Sequence, residues 1–84
     1  MKARVYIFYK DSVFDPQGNT VAGSLRRVGF QKVKDVRMGK VVDVTFESNS
    51  KDETKREVEK MCEKLLVNPV IESFKVEVFE EAVS

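Results

Sequence analysis

Few side chains in this sequence are of the kind that perform covalent or acid–base chemistry. Histidine, the commonest general acid/base and metal ligand, is absent, and Cys62 is the only cysteine. Cys62 could act as a nucleophile, but no imidazole is available to activate it, and it falls on an apolar helical stripe. The sequence therefore favours a buried structural thiol at this position.

Carboxylates and cations offer two further possibilities. The acidic candidates are Glu57, Glu63 and Glu72, but glutamates interleaved with lysines on a helix surface are usually solvated. Arg37 and Lys40 flank Gly39 and could hold a phosphate, although the G-x-x-x-x-G-K-[ST] frame of a nucleotide-binding loop is missing. The sequence accordingly predicts no catalytic residue, no cofactor-binding residue and no metal ligand.

Composition narrows the class of protein. The chain has 84 residues, with 15 Lys and Arg against 14 Asp and Glu, and thus lacks the basic excess of a typical nucleic-acid binder. No run approaches the ~20 apolar residues that a membrane helix requires. A lone cysteine suggests a reducing compartment. We expect a single cytoplasmic domain, residues 1–84, that binds neither nucleic acid nor membrane.

The hydrophobic periodicity predicts six elements in the order β-α-β-β-α-β. The first strand is predicted at 3–10, and the first helix begins at Pro16 or near Thr20 and stops at Gly29. Strands 33–37 and 41–47 are predicted to form a hairpin around a turn at 38–40. The second helix is opened by a Ser50/Glu53 capping box and ends near Val67 or Asn68, and the last strand is predicted at 70–79. Residues 80–84 are expected to fray.

This order is typical of an α+β, ferredoxin-like fold, a four-stranded antiparallel sheet with both helices on one face. The first strand, apolar on both faces, is predicted to lie inside the sheet. We expect the helix-free face to mediate self-association. That face would carry either Tyr6 and Phe8 or the alternating set Val5, Ile7 and Tyr9.

Three segments together resemble the PurS family, the small subunits of phosphoribosylformylglycinamidine synthase. They are Asp15-Pro16-Gln17-Gly18, the Val36-Arg37-Met38-Gly39-Lys40 hairpin, and the helix end from Cys62 to Glu72, in which Asn68, Pro69 and Glu72 are the family landmarks. The resemblance runs essentially the full length of the chain. Each short segment is weak evidence alone, whereas the three in this order are fairly specific.

The resemblance implies a subunit of a glutamine-dependent, ATP-consuming C–N ligase complex in de novo purine biosynthesis. The glutaminase and synthetase subunits would use glutamine, ATP and magnesium, and this chain would join them, assist ammonia transfer and form homodimers or larger assemblies. We expect the contacts with these larger subunits at Asp15 and Gly18 in the loop after the first strand, and at Arg37, Gly39 and Lys40 in the hairpin.

Other classes are less favoured by the residues. An RNA-binding sheet would need the K/R-G-F/Y-G/A-F-V-x-F/Y motif, and a metal chaperone would need a C-x-x-C pair, and the sequence has neither. An enzyme acting alone lacks an acid/base pair. The alternative that stays open is a regulatory module of the same fold, of the ACT type, which would bind a small ligand at a subunit interface.

Overall fold

Two helices and a three-stranded antiparallel sheet make up the computed structural model, which describes residues 1–80. The elements are β1 (Lys2–Tyr9), α1 (Pro16–Arg27), β2 (Gly39–Thr45), α2 (Lys51–Met61), which continues as a π-helical turn (Cys62–Leu66), and β3 (Glu72–Phe79). Fraying was predicted for residues 80–84, and all of these except Glu80 lie outside the described part. Within that part, no helix is long and apolar enough to cross a membrane.

The sheet has the order β2-β1-β3, so β1 is central, as its two apolar faces predicted. Val5 lies opposite Val42 on one side and Val76 on the other. Ala3, Val5 and Ile7 are buried in the core beneath α2. Tyr6 is half-buried and Phe8 is 45% exposed, and both alternate with the buried residues and lie on the opposite face.

The second helix begins after Ser50, as predicted, and ends at Leu66, one residue before the predicted end near Val67 or Asn68. The Ser50 hydroxyl accepts a hydrogen bond from the Glu53 backbone N–H at 3.1 Å, which caps the first turn. The Ser50 N–H donates to the Ser48 hydroxyl at 3.0 Å and not to Glu53, so one half of the predicted capping box forms. At the other end the Val67 N–H donates to the Cys62 carbonyl at 3.0 Å, closing the wide π-helical turn. Val67 is already in an extended conformation, so the helix ends before Pro69.

The last strand begins two residues later than predicted. The Asn68 carbonyl accepts hydrogen bonds from the backbone N–H groups of Ile71 and Glu72, at 3.2 and 2.8 Å. These bonds close a turn over residues 68–72. Val70 is therefore part of the turn rather than the start of β3.

The predicted hairpin of strands 33–37 and 41–47 is wrong. Residues 33–38 run into β2 without a turn, and Gly39 is the first residue of that strand. The physical reason is competition from α1, because the Met38 N–H donates to the Asp15 carboxylate at 2.6 Å. The described residues thus contain three strands, and the fourth strand of a ferredoxin-like sheet is not formed.

Helix α1 also departs from the predicted arrangement, because it does not lie beside α2 on the sheet. Within residues 1–80, α1 shares no extensive contact with a strand or with α2. It packs instead along residues 33–38, and together they form a projection that we call the arm, residues 16–38. The radius of gyration is 16.3 Å, whereas a compact chain of this length has about 12 Å. Of the two predicted starts of α1, the structure has the one at Pro16, with Asp15 as N-cap, and Gly29 at φ +114° lies just beyond the last turn as predicted.

Candidate functional site: the joint at the base of the arm

The Asp15 side chain lies where the arm meets the sheet. One carboxylate oxygen accepts from the Gly18 backbone N–H at 2.8 Å, and the other accepts from the Met38 N–H at 2.6 Å. Asp15 is only 3% exposed. The bond from Gly18, then that from Met38, then the charge of Arg37 lower the pKa of Asp15 below its ordinary value. The carboxylate is therefore held ionised between two segments of the chain.

Arg37 makes the second set of contacts in this region. Its Nη2 donates to the backbone carbonyls of Lys10 and Val13, at 2.9 and 2.8 Å. These carbonyls belong to the loop that follows β1. Asp15, Gly18, Arg37 and Met38, which we call the joint, thus tie that loop, the start of α1 and the entry to β2 together.

Two glycines permit the close approach of backbones around the joint. A Cβ on Gly18 would lie 2.0 Å from the Val36 carbonyl oxygen, so no other residue fits here without movement. A Cβ on Gly39 would lie 2.8 Å from the Ile7 carbonyl oxygen. The absence of a side chain at Gly39 therefore permits the close pairing of β2 with β1, and Gly39 does not form a hairpin turn.

Four of the five residues that the sequence suggested as partner contacts thus make contacts inside this chain. The exception is Lys40, whose side chain is 59% exposed and whose Nζ lies 4.0 Å from a Glu72 carboxylate oxygen. Sequence reasoning missed the bond between Asp15 and Met38, which spans 23 positions. The only advance signal was the suitability of Asp15 as an N-cap.

The landmark residues after α2 form a compact turn near the joint. The Asn68 N–H donates to a Glu72 carboxylate oxygen at 2.8 Å, and the Asn68 side-chain oxygen accepts from the Val70 N–H at 3.1 Å. Lys10 Nζ donates to the Pro69 carbonyl at 2.7 Å. Glu72 therefore acts as a structural acceptor in this turn.

An open cavity of about 510 Å³ lies between this turn and the π-helical segment, lined in part by Lys10, Cys62, Pro69 and Phe74. Cys62 itself is fully buried, which confirms its prediction as a core residue. Burial, followed by the charges of Glu59 and Glu63, raises the pKa of the thiol. The thiol is consequently protonated near neutral pH and is a poor nucleophile. No group of three or more potential metal ligands occurs in the described part of the chain.

The two candidate self-association faces differ in accessibility. Val5 and Ile7 are buried beneath α2 and are therefore not available to a partner. Tyr6 and Phe8 lie on the open face of the sheet, beside an ion pair in which Arg4 Nε lies 2.9 Å from Asp43 Oδ1. Of the two predicted sets, Tyr6 and Phe8 are thus the accessible one.

Comparisons with known proteins give one consistent result. Residues 2–80 match the family model for PurS, described as phosphoribosylformylglycinamidine (FGAM) synthase. The sequence is 45% identical over 76 residues to the phosphoribosylformylglycinamidine synthase subunit PurS of Archaeoglobus fulgidus, a match that covers 90% of this chain and 95% of that one.

Solved structures agree with the sequence comparison. The crystal structure of Methanocaldococcus jannaschii PurS, a subunit of formylglycinamide ribonucleotide amidotransferase in the purine biosynthetic pathway, is similar with a TM-score of 0.87 and 38% identity, over 96% of this chain and 98% of that one. A chain in the structure of PurLQS from Thermotoga maritima is similar with a TM-score of 0.82 and 37% identity, over 90% and 93%.

Proposed function

Because the chain belongs to the PurS family of FGAM synthase subunits, we propose that it is a non-catalytic structural subunit of that ligase complex. In this role it joins the glutaminase and synthetase subunits and assists the passage of ammonia between them, in the cytoplasm. Glutamine, ATP and magnesium are used by those partner subunits, and no cofactor is bound by this chain.

The observation that carries the proposal is similarity over nearly the whole chain, including similarity to a chain within the PurLQS structure at a TM-score of 0.82. Because the match covers most of both chains, it concerns the whole PurS subunit and not a shared fragment. The ACT-type alternative is not favoured, since the two similar structures described above are those of PurS and of PurLQS.

The chemistry of the side chains supports a non-catalytic role. The one thiol is buried, and histidine is absent from the sequence. Two of the three carboxylates considered as acid/base candidates have other neighbours: Glu57 lies 3.8 Å from Lys60, and Glu72 accepts from the Asn68 backbone. A subunit of this kind contributes to rate by positioning its partners and by keeping neutral ammonia from water.

The residues proposed for contact with the larger subunits divide into two groups. Lys40 projects into solvent and is suited to direct contact. Asp15, Gly18 and Arg37 act indirectly, because they hold the base of the arm to the loop after β1. Gly39 acts through the close pairing of β2 with β1. The chain also self-associates, with Tyr6 and Phe8 on the open face as candidate contacts.

Reconstitution of the complex tests the proposal. The glutaminase and synthetase subunits from the same source are assayed for FGAM formation with and without this chain, first with glutamine and then with ammonium chloride as nitrogen source. Omission is expected to abolish the glutamine-dependent reaction while leaving the ammonium-dependent reaction largely intact. Equal glutamine-dependent turnover in its absence would overturn the proposal.

A further inference from the structure

The turn between the π-helical segment and β3, residues 68–72, is held by hydrogen bonds at every position. Its first residue, Asn68, bonds to every other member of the turn except Pro69. Lys10 Nζ donates to the Pro69 carbonyl at 2.7 Å, and the Lys10 backbone N–H donates to the Ile71 carbonyl at 2.9 Å. The proline ring in addition fixes one backbone dihedral angle. The conformation of the turn is therefore set before any partner binds.

This ordered turn and the loop beside it present apolar side chains to solvent. Val70, in the turn, is 76% exposed. Phe14 is 69% exposed and lies in the loop after β1, which begins at Lys10 and is bonded to the turn through that residue. Because ordering a flexible segment lowers affinity, apolar side chains on segments that are already ordered are suited to binding. Val70 and Phe14 are therefore candidate anchors of an interface.

The exposed charges around these apolar side chains are mainly positive. Three segments meet at this end of the sheet, and they are residues 10–15, 37–40 and 68–72. Their exposed cations are Lys10, Arg37 and Lys40. Asp11 is their one exposed carboxylate, because Asp15 is buried and the Glu72 side chain, which accepts a backbone hydrogen bond, is only 16% exposed. The surface is thus complementary to a partner that carries negative charge.

We propose that these three segments, which we call the docking surface, bind an apolar pocket bordered by carboxylates on one of the larger subunits of the complex. Val70 and Phe14 enter the pocket, and the three cations face its rim. Lys40, to which the proposed function already assigns a direct contact, belongs to the same surface, since its Nζ lies 4.0 Å from a carboxylate oxygen of the turn residue Glu72. The inference rests on that proposed function and adds the turn, the loop and the chemistry of the partner.

Charge also disfavours a second copy of this chain as the occupant of the docking surface. A two-fold contact brings the same patch of both copies together. The exposed cations of one copy would then face those of the other, with Asp11 as the one exposed carboxylate on each side. A larger subunit with carboxylates around the pocket neutralises these cations instead.

Matched variants of the full chain test the docking surface. Val70→Ser removes the apolar side chain and keeps the N–H that bonds to Asn68, whereas Val70→Ile keeps an apolar side chain. Lys10→Gln removes a cation and keeps a side-chain donor, and Lys55→Gln makes the same change at an exposed position of α2. Isothermal titration calorimetry with the glutaminase and synthetase subunits gives the affinity, and sedimentation gives self-association. Circular dichroism verifies that each variant is folded.

We expect Val70→Ser to raise the dissociation constant for a larger subunit about tenfold, and Lys10→Gln to raise it about threefold. Val70→Ile and Lys55→Gln are expected to change it by less than about twofold. Added salt should weaken binding of the wild type more than binding of Lys10→Gln, because screening acts on the charge that this variant lacks.

Three results would contradict the docking surface. Wild-type affinity of Val70→Ser for both larger subunits would overturn it, while glutamine-dependent FGAM formation with the wild type would keep the proposed function. Weaker self-association of Val70→Ser, with unchanged affinity for the larger subunits, would assign the surface to a second copy and overturn the proposal. A wild-type chain that supports no glutamine-dependent reaction would overturn the proposed function and the docking surface with it.

Discussion

The Asp15 carboxylate accepts a hydrogen bond from the Met38 backbone N–H at 2.6 Å, across 23 positions of the chain. The same carboxylate caps α1 through Gly18. A single side chain therefore both starts the helix and holds the segment that enters β2. This relationship ties the first turn of the arm to its last residue at the entry to the sheet.

Asp15→Ala is expected to lower the thermal midpoint by several degrees and to loosen the arm. The variant leaves the backbone N–H groups of Gly18 and Met38 without their acceptor in a buried site. Differential scanning calorimetry gives the midpoint, and small-angle scattering gives the shape. Asp11→Ala, at an exposed carboxylate in the preceding turn, is the control; an equal effect of both changes would contradict the role of the joint.

The contribution of Asp15 to stability is expected to vanish in acid. Hydrogen bonds from Gly18 and Met38 lower its pKa in the folded state, whereas the unfolded value is about 3.9. Between the two values the unfolded chain binds more protons, so stability falls as pH decreases through that interval. The stability difference between wild type and Asp15→Asn should be full above about pH 5 and shrink below about pH 4. Urea titrations at a series of pH values measure it, and a difference that stays constant down to the folded pKa would contradict the assignment.

Substitution by alanine at two glycines of α1 should change the free energy of unfolding in opposite directions. Gly18→Ala is expected to destabilise the chain by about 2 kcal/mol, since the new Cβ would lie 2.0 Å from the Val36 carbonyl oxygen. A Cβ on Gly23 would meet no atom within 4 Å, so Gly23→Ala should stabilise by about 0.5 kcal/mol through the higher helix propensity of alanine. Chemical denaturation of both variants measures the pair. Stabilisation by both variants would show that helix propensity outweighs the close contact at Gly18, and destabilisation by both would contradict the open space at Gly23.

Cys62 is expected to resist thiol reagents while the chain is folded. Its side chain is fully buried and burial raises its pKa. Labelling with a chromogenic disulfide at neutral pH should be at least about tenfold slower than for a cysteine introduced at Lys55 on the exposed surface of α2. Equal rates for the two thiols would indicate that the core around Cys62 opens readily.

Lys40→Glu is expected to weaken assembly with the larger subunits without affecting the fold. The Lys40 side chain is 59% exposed, and its one close carboxylate is at 4.0 Å. Reversal of its charge should raise the dissociation constant about fivefold, as measured by isothermal titration calorimetry with the partner subunits. Lys55→Glu carries the same charge change on α2 and should leave the affinity unchanged. A comparable loss of affinity for both variants would indicate an effect of net charge and would contradict a contact at Lys40.

Local sequence signals determined the individual elements of this protein. The alternation of β1, the Asp15 and Ser50 caps, the stop at Gly29 and the Asn68-Pro69 break each depend on residues close in the chain, and the structure agrees with them. The burial of Cys62 followed from the apolar stripe of α2, a pattern that also needs no knowledge of the fold. The family resemblance was likewise contained in short segments at fixed positions.

Only the tertiary structure decided where α1 and residues 33–38 lie. The hairpin was predicted from alternation and a glycine, but the Asp15 bond to Met38 and the contact of Gly18 with Val36 hold that segment against α1. These contacts join residues about twenty positions apart, and local propensity does not report their free energy. The result is a three-stranded sheet with an extended arm, and three of the residues expected at a partner interface, Asp15, Gly18 and Arg37, belong to the joint at the base of that arm.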